Sequence, residues 1–163
     1  MLTAERLREV LDYDPATGLF RWRITNSNSR GAGKVAGSTK VRSYRQIQID
    51  RRRYCAHRLA WLYMHGAWPS GELDHKNCDS TDDRIANLRP ASRQQNCANM
   101  RAKNATGLKG IDRRLNKSGV KWYAHIRVDG HLRHLGVFDS PERANAAYVA
   151  AACSIHGQFA RGS

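Results

Sequence analysis

Leu2, Leu7, Val10 and Leu11 recur at helical spacing behind Thr3, a residue suited to an N-cap, so residues 3–11 read as a short amphipathic helix. Asp14-Pro15-Ala16-Thr17-Gly18 is a turn by composition, and residues 19–23 alternate as a strand. Residues 25–40, rich in Ser, Asn and Gly, read as a loop. Alternation returns over residues 44–49, with residues 53–56 as the hairpin partner. Residues 57–65 read as a helix that packs through Leu59, Trp61, Leu62 and Met64 and stops at Gly66. A short strand follows over 71–75, then a polar loop over 76–83. A segment over 84–88 is ended by Pro90, and a helix covers 91–100 with Ser92 near its start.

Beyond a polar linker at 103–106 the period is that of strands. Residues 108–112, 121–128 and 131–138 read as three of them, with Asp129-Gly130 as a strong hairpin turn. Ser140-Pro141 opens a helix that runs to about His156 and stops at Gly157. Trp122, Ala124, Ile126 and Val128 share one strand face, and Tyr123, His125 and Arg127 share the other. The first face suits the small-residue stripe Ala144, Ala147, Tyr148, Ala151 and Ala152 on the helix. The expected class is α+β, with domains at 1–102 and 103–163, the second a three-stranded antiparallel sheet packed on one helix.

Charge changes this picture. The 163 residues carry 28 Lys+Arg against 14 Asp+Glu, a net +14 that suits a polyanionic partner. Nine bases and one acid lie in residues 30–58, and eleven bases and four acids from Arg101 onward. Between them, residues 71–100 hold five acids against four bases. An acid-bearing centre between basic flanks suits metal-dependent chemistry on a phosphate backbone. No stretch approaches the ~20 apolar residues of a spanning helix. The first ten residues lack a signal-peptide core. The expectation is a soluble, intracellular (cytoplasmic) protein with no membrane partner and no small-molecule cofactor. Cys55, Cys78, Cys97 and Cys153 are irregularly spaced and expected to be reduced thiols.

Candidate chemistry concentrates in Leu73-Asp74-His75-Lys76-Asn77, Arg84-Ile85-Ala86-Asn87-Leu88-Arg89 and Gln95-Asn96. Asp74 and His75 diverge if the strand continues and converge only at its end. A helix about twenty residues later is able to bring Asn96 back beside Asp74, and a carboxylate with an amide carbonyl suits a hard divalent ion. A neighbouring imidazole is suited to taking a proton from water at neutral pH. His57 is expected to be structural or to face phosphate, Trp61 and Trp68 to be core residues, and His65 and His156 to sit at helix C-termini.

At these residues, over about 44–100, the sequence resembles the HNH, or ββα-metal, endonucleases, especially their phage and intron homing branch; His57-Arg58-Leu59 fits the same branch. The resemblance implies a ββα-metal core with His75 as general base and with Asp74 and Asn96 as ligands of one divalent cation, Mg²⁺ or Mn²⁺. It implies that Asn87 holds the loop that carries His75. Where that loop often reads Asn-Gly, this chain has Asn77-Cys78. A φ above zero there would strain the cysteine by about 1 kcal/mol or more.

From about 106 to 161 the sequence resembles the plant APETALA2/ethylene-response-factor DNA-binding domain, through Lys109-Gly110-Ile111, Lys121-Trp122, Ile126-Arg127, Leu135-Gly136-Val137-Phe138-Asp139 and Ala146-Ala147-Tyr148. The resemblance implies a sheet that enters the major groove, with Lys109, Arg114, His125, Arg127 and His134 at DNA-contacting positions. Asp112 and His134 stand where an Arg and a Trp are usual, so base preference does not carry over. Arg51, Arg52, Arg53 and Arg58 are further candidate DNA contacts in the basic flank. The leading expectation is a DNA endonuclease acting on double-stranded DNA, with homing and genome packaging both open. The alternatives are a DNA-binding regulator on a decayed nuclease scaffold, for which Cys78 is the hint, and an RNA-binding protein. Oligomeric state and nicking versus double-strand cleavage stay open.

Overall fold

The computed structural model describes residues 1–24, 31–38, 44–102, 104–117 and 119–162. Half of the expected 25–40 loop, including Arg30 and Lys40, lies outside the described residues, as do Arg42, Lys103 and Ser118. The architecture is α+β, and the chain forms two compact units, Met1–Ala91 and Ser92–Ser163.

The first unit opens with α1 (Ala4–Val10), whose N-cap Thr3 accepts from the Arg6 amide. The chain then enters β1 (Leu11–Asp14) directly, antiparallel to β2 (Leu19–Trp22). Leu11 and Tyr13 alternate into the core with Phe20 and Trp22, so Leu11 ends in a strand and not in the helix expected to contain it. The turn between them is tied to Asp14, which accepts from the Ala16 amide and the Thr17 hydroxyl. Gly18, at φ +74°, matters here because a Cβ on it would lie 2.5 Å from the Arg84 backbone nitrogen. Only glycine lets this hairpin tip approach the 83–84 segment.

The second hairpin joins β3 (Gln46–Ile49) to β4 (Arg52–Cys55) through Asp50 and Arg51, both at positive φ, as a two-residue primed turn requires. Helix α2 (Ala56–His65) follows and ends at Gly66 in the left-handed conformation. Leu59 and Leu62 join Leu7, Val10, Leu11, Phe20, Ile47 and Ile49 in one core. Trp68 packs against that core, and its indole N–H donates to the Leu2 carbonyl; Trp61 is half-buried with its ring tilted against that of His65, while Met64 is exposed. The third ribbon pairs β5 (Glu72–His75) with β6 (Leu88–Ala91), and a 3₁₀ turn at Ile85–Asn87 leads into the second strand. Pro90 lies inside β6, opposite Leu73; a two-stranded ribbon has outward positions that tolerate its missing N–H.

The second unit begins with α3 (Arg93–Asn99), capped reciprocally by Ser92 and Gln95. Strands β7 (Ile111–Asn116), β8 (Gly119–Val128) and β9 (His131–Phe138) form one antiparallel sheet in chain order. The turn from β8 to β9 places Asp129 and Gly130 at positive φ. Helix α4 (Pro141–His156) starts at the Ser140 cap and packs on the sheet. Ala144, Tyr148 and Ala152 are its buried residues, set against Ile111, Ala124, Ile126 and Val128. The contact is so close that a Cβ on Gly110 would stand 1.9 Å from the Tyr148 ring. All four cysteines are free thiols.

Candidate active site

His75 closes β5, and the strand pleat sends it and Asp74 in different directions. Asp74, 3% exposed, stands opposite Arg89 in the ladder and accepts from its Nε at 2.8 Å. His75, 6% exposed, points instead into a cluster of polar side chains. Its ring lies 5.1 Å from that of His57, and the Tyr44 ring rests 4.7 Å from His57 and 5.8 Å from His75.

The loop after His75 is folded around Asn87. The Asn87 amide oxygen accepts from the Asn77 backbone N–H at 3.1 Å. Its amide nitrogen donates to the Asn77 side-chain oxygen at 3.0 Å and to the Asp82 carbonyl at 2.9 Å. The Lys76 N–H donates to the Asn87 carbonyl at 2.9 Å. Cys78 adopts φ +60° in this loop, the conformation that strains a residue with a Cβ, yet the loop closes around it. Arg84 pins Asp82 with two hydrogen bonds, and the Tyr13 hydroxyl donates to the Asp83 carbonyl at 2.8 Å.

That scaffold turns the Asp83 side chain inward. It is 1% exposed, and neither carboxylate oxygen makes a hydrogen bond of normal length. Its oxygens lie 3.7 Å from His75 Nε2 and 3.9 Å from Arg45 Nε. Burial pushes the Asp83 carboxyl up from its ordinary value, against the pull of His75 and Arg45. His57 is 6% exposed, and its Nδ1 has no hydrogen-bond partner. Burial pushes it down to about 3, with the charges of His75 and Arg58 adding to the effect, so it is neutral at physiological pH. It is buried and does not face solvent. Ligand-capable atoms of His57, His75 and Asp83 all lie within 4.8 Å of one another, a spacing able to hold a metal ion. The buried, unmatched oxygens of Asp83 and Nδ1 of His57 fit a cation.

Residues 54–98 match the family model described as HNH endonuclease. The chain carries an HNH endonuclease domain. The enzyme is therefore a phosphodiester hydrolase with a nucleic-acid substrate. No curated protein and no solved structure matches the chain. The HNH segment takes in half of β4, all of α2, β5 and β6, and most of α3, so it crosses the division of the two units at Ala91. Asn96 lies on α3, in the second unit. Among the described residues, no helix is long and apolar enough to cross a membrane.

Of the expected DNA contacts, Arg51, Arg52 and Arg53 are exposed at the second hairpin. Arg58 donates to the Gly71 and Pro69 carbonyls, next to β5. In the second unit the strand register gathers Arg114, His125, Arg127 and His134 on the sheet face away from α4. The Arg114 guanidinium lies 4.8 Å over the Tyr123 ring, and Asp112 lies 3.6 Å from His125. Lys109 is elsewhere: it precedes β7, and its ammonium group donates to the Ala98 carbonyl at the end of α3. Asp83, Arg45 and Tyr44 were absent from the residues singled out in the sequence. An aspartate in an acidic loop gives no local sign that it will be buried.

Proposed function

We propose that the HNH domain cuts double-stranded DNA and that the C-terminal sheet, an APETALA2-like module, positions it on the duplex. The observation that carries this reading is the three-way grip of Asn87 on the loop that follows His75. A general base must be held steady against its water, and that grip fixes the backbone on which the imidazole stands. In this reading His75 accepts a proton from the water that attacks phosphorus, and Asn87 positions His75. Arg89 restrains the Asp74 carboxylate by direct hydrogen bonding. Asp74 and Asn96 are the ligands the family resemblance implies for Mg²⁺ or Mn²⁺. With such an ion bound, negative charge on the phosphate and the departing oxygen is stabilised.

Arg51, Arg52 and Arg53 and the sheet face of Arg114, His125, Arg127 and His134 supply phosphate and groove contacts. Functionally the chain divides at about residue 102, with the nuclease before it and the DNA-positioning module after. The resemblance to mobile-element nucleases supports a homing role in the cytoplasm of the host cell. Purified protein should convert supercoiled plasmid to nicked circles with Mg²⁺ or Mn²⁺, and a chelator should stop it. Tight DNA binding with no metal-dependent nicking would overturn the catalytic reading in favour of a regulator. Preference for structured RNA over duplex DNA in competition would overturn the choice of substrate.

A further inference from the structure

We propose that His57, His75 and Asp83 form a site for a borderline transition-metal ion such as Zn²⁺, whose occupancy withdraws His75 from general-base work. The second half of this proposal rests on the reading of His75 above; the binding half does not.

Two imidazoles and one carboxylate make an N,N,O set, which suits Zn²⁺ or Co²⁺. Mg²⁺ prefers an octahedron of oxygens and keeps several waters, and a donor set with two imidazole nitrogens does not match that preference. The three groups approach within 4.8 Å of one another, and His75 Nε2 is already 3.7 Å from Asp83 Oδ1. Zinc bonds of about 2.0–2.2 Å place tetrahedral ligands roughly 3.3–3.5 Å apart, so the cluster closes through side-chain shifts of about 1 Å. Asp83 is a carboxylate 1% exposed with no hydrogen bond to either oxygen, and His57 Nδ1 also lacks one. Leaving such groups unmatched is costly, and a cation bound among them supplies the missing partner. Arg45, 3.9 Å from Asp83, is the charge that opposes it.

The consequence for His75 follows from imidazole chemistry. A neutral ring has one nitrogen lone pair and one N–H. Once Nε2 is committed to a metal, Nδ1 carries the proton, and the ring has no lone pair left to accept one from water. No covalent bond to DNA and no electron transfer is involved.

The test is a metal titration of the intact protein without DNA, using Zn²⁺ against a chromophoric chelator and Co²⁺ followed by its visible bands. Wild type should bind one equivalent with the spectrum of four-coordinate Co²⁺. His57→Gln and Asp83→Asn should each weaken binding by more than about 100-fold, since even outer-shell partners cost 10–100-fold. Arg45→Met removes the opposing charge and should tighten it, a gain that misfolding does not produce. Equal affinity in all four proteins would overturn the site.

A second arm follows Mg²⁺-supported nicking as Zn²⁺ is added. Wild-type nicking should fall in step with occupancy of the site. The His57→Gln protein, scored against its own zinc-free rate, should need more than about 100-fold more zinc. Full nicking at full occupancy would overturn the withdrawal of His75. No Mg²⁺-supported nicking without zinc would overturn the proposed function and the withdrawal together, leaving the metal site to be judged by the first arm.

Discussion

The two units use the same residue types in opposite surroundings. In the first, His57 and His75 lie buried beside a buried carboxylate, in a unit whose core is built of leucines, isoleucines and aromatic rings. In the second, His134 and Arg127 stand exposed on a sheet face, with His125 half-covered, and the core beneath is two small clusters rich in alanine. Water makes the difference. Without it the His57 imidazole is held neutral and a carboxylate–cation interaction is strong, which serves chemistry. With it a cation contributes salt-sensitive attraction to phosphate and costs little to keep charged.

Acid stability sharpens this contrast most. The folded-state value of His57 is about 3, well below its ordinary 6.5. Between those values the unfolded chain binds more protons, so stability falls as pH drops through about 6.5 towards 3. Asp83, raised by burial, acts with the opposite sign above 3.8 and blunts the loss at the acid end. Urea unfolding at about pH 7.5 and pH 4.5 should show wild type losing roughly 2 kcal/mol more than His57→Gln. Equal losses would mean that His57 is not dry.

On the open face, Arg114→Ala with Arg127→Ala should weaken duplex binding about 10-fold and make the slope of log K against log salt shallower by about two. Titrations at several salt concentrations read both. An unchanged slope would remove these cations from the phosphate contact. The smallest expected effect is in the loop after His75. Cys78→Gly relieves a Cβ at φ +60° and should raise stability by about 0.5–1 kcal/mol, measured by the same urea titration. A loss would show that the sulfur makes contacts worth more than the strain.

Much of the architecture was legible because its signals are local. Thr3, Ser92 and Ser140 cap the helices that follow them, Gly66 ends α2, and alternation marks β2, β3 and β8. Where local signals overlapped, the reading slipped. Leu11 continues the apolar stripe of α1 but is the first residue of β1, and Pro90, a stop signal by residue type, sits within β6. At the site, His75 and the residues that Asn87 binds stood out because they lie within one short stretch. Asp83 did not, because its burial depends on Tyr13 and on the Gly18 tip, some 65–70 residues earlier in the chain. The pairing of Asp74 with Arg89 was equally hidden, since it needs the β5–β6 register.

The division of labour between a buried imidazole and an exposed cationic face is tested most directly by single-turnover cleavage of a duplex at saturating protein and Mg²⁺. His75→Ala should slow the chemical step by at least about 10²–10⁴-fold, the usual worth of a general base, while its affinity for the duplex stays within about threefold of wild type. Cleavage by His75→Ala at the wild-type rate, with DNA bound equally well, would contradict it.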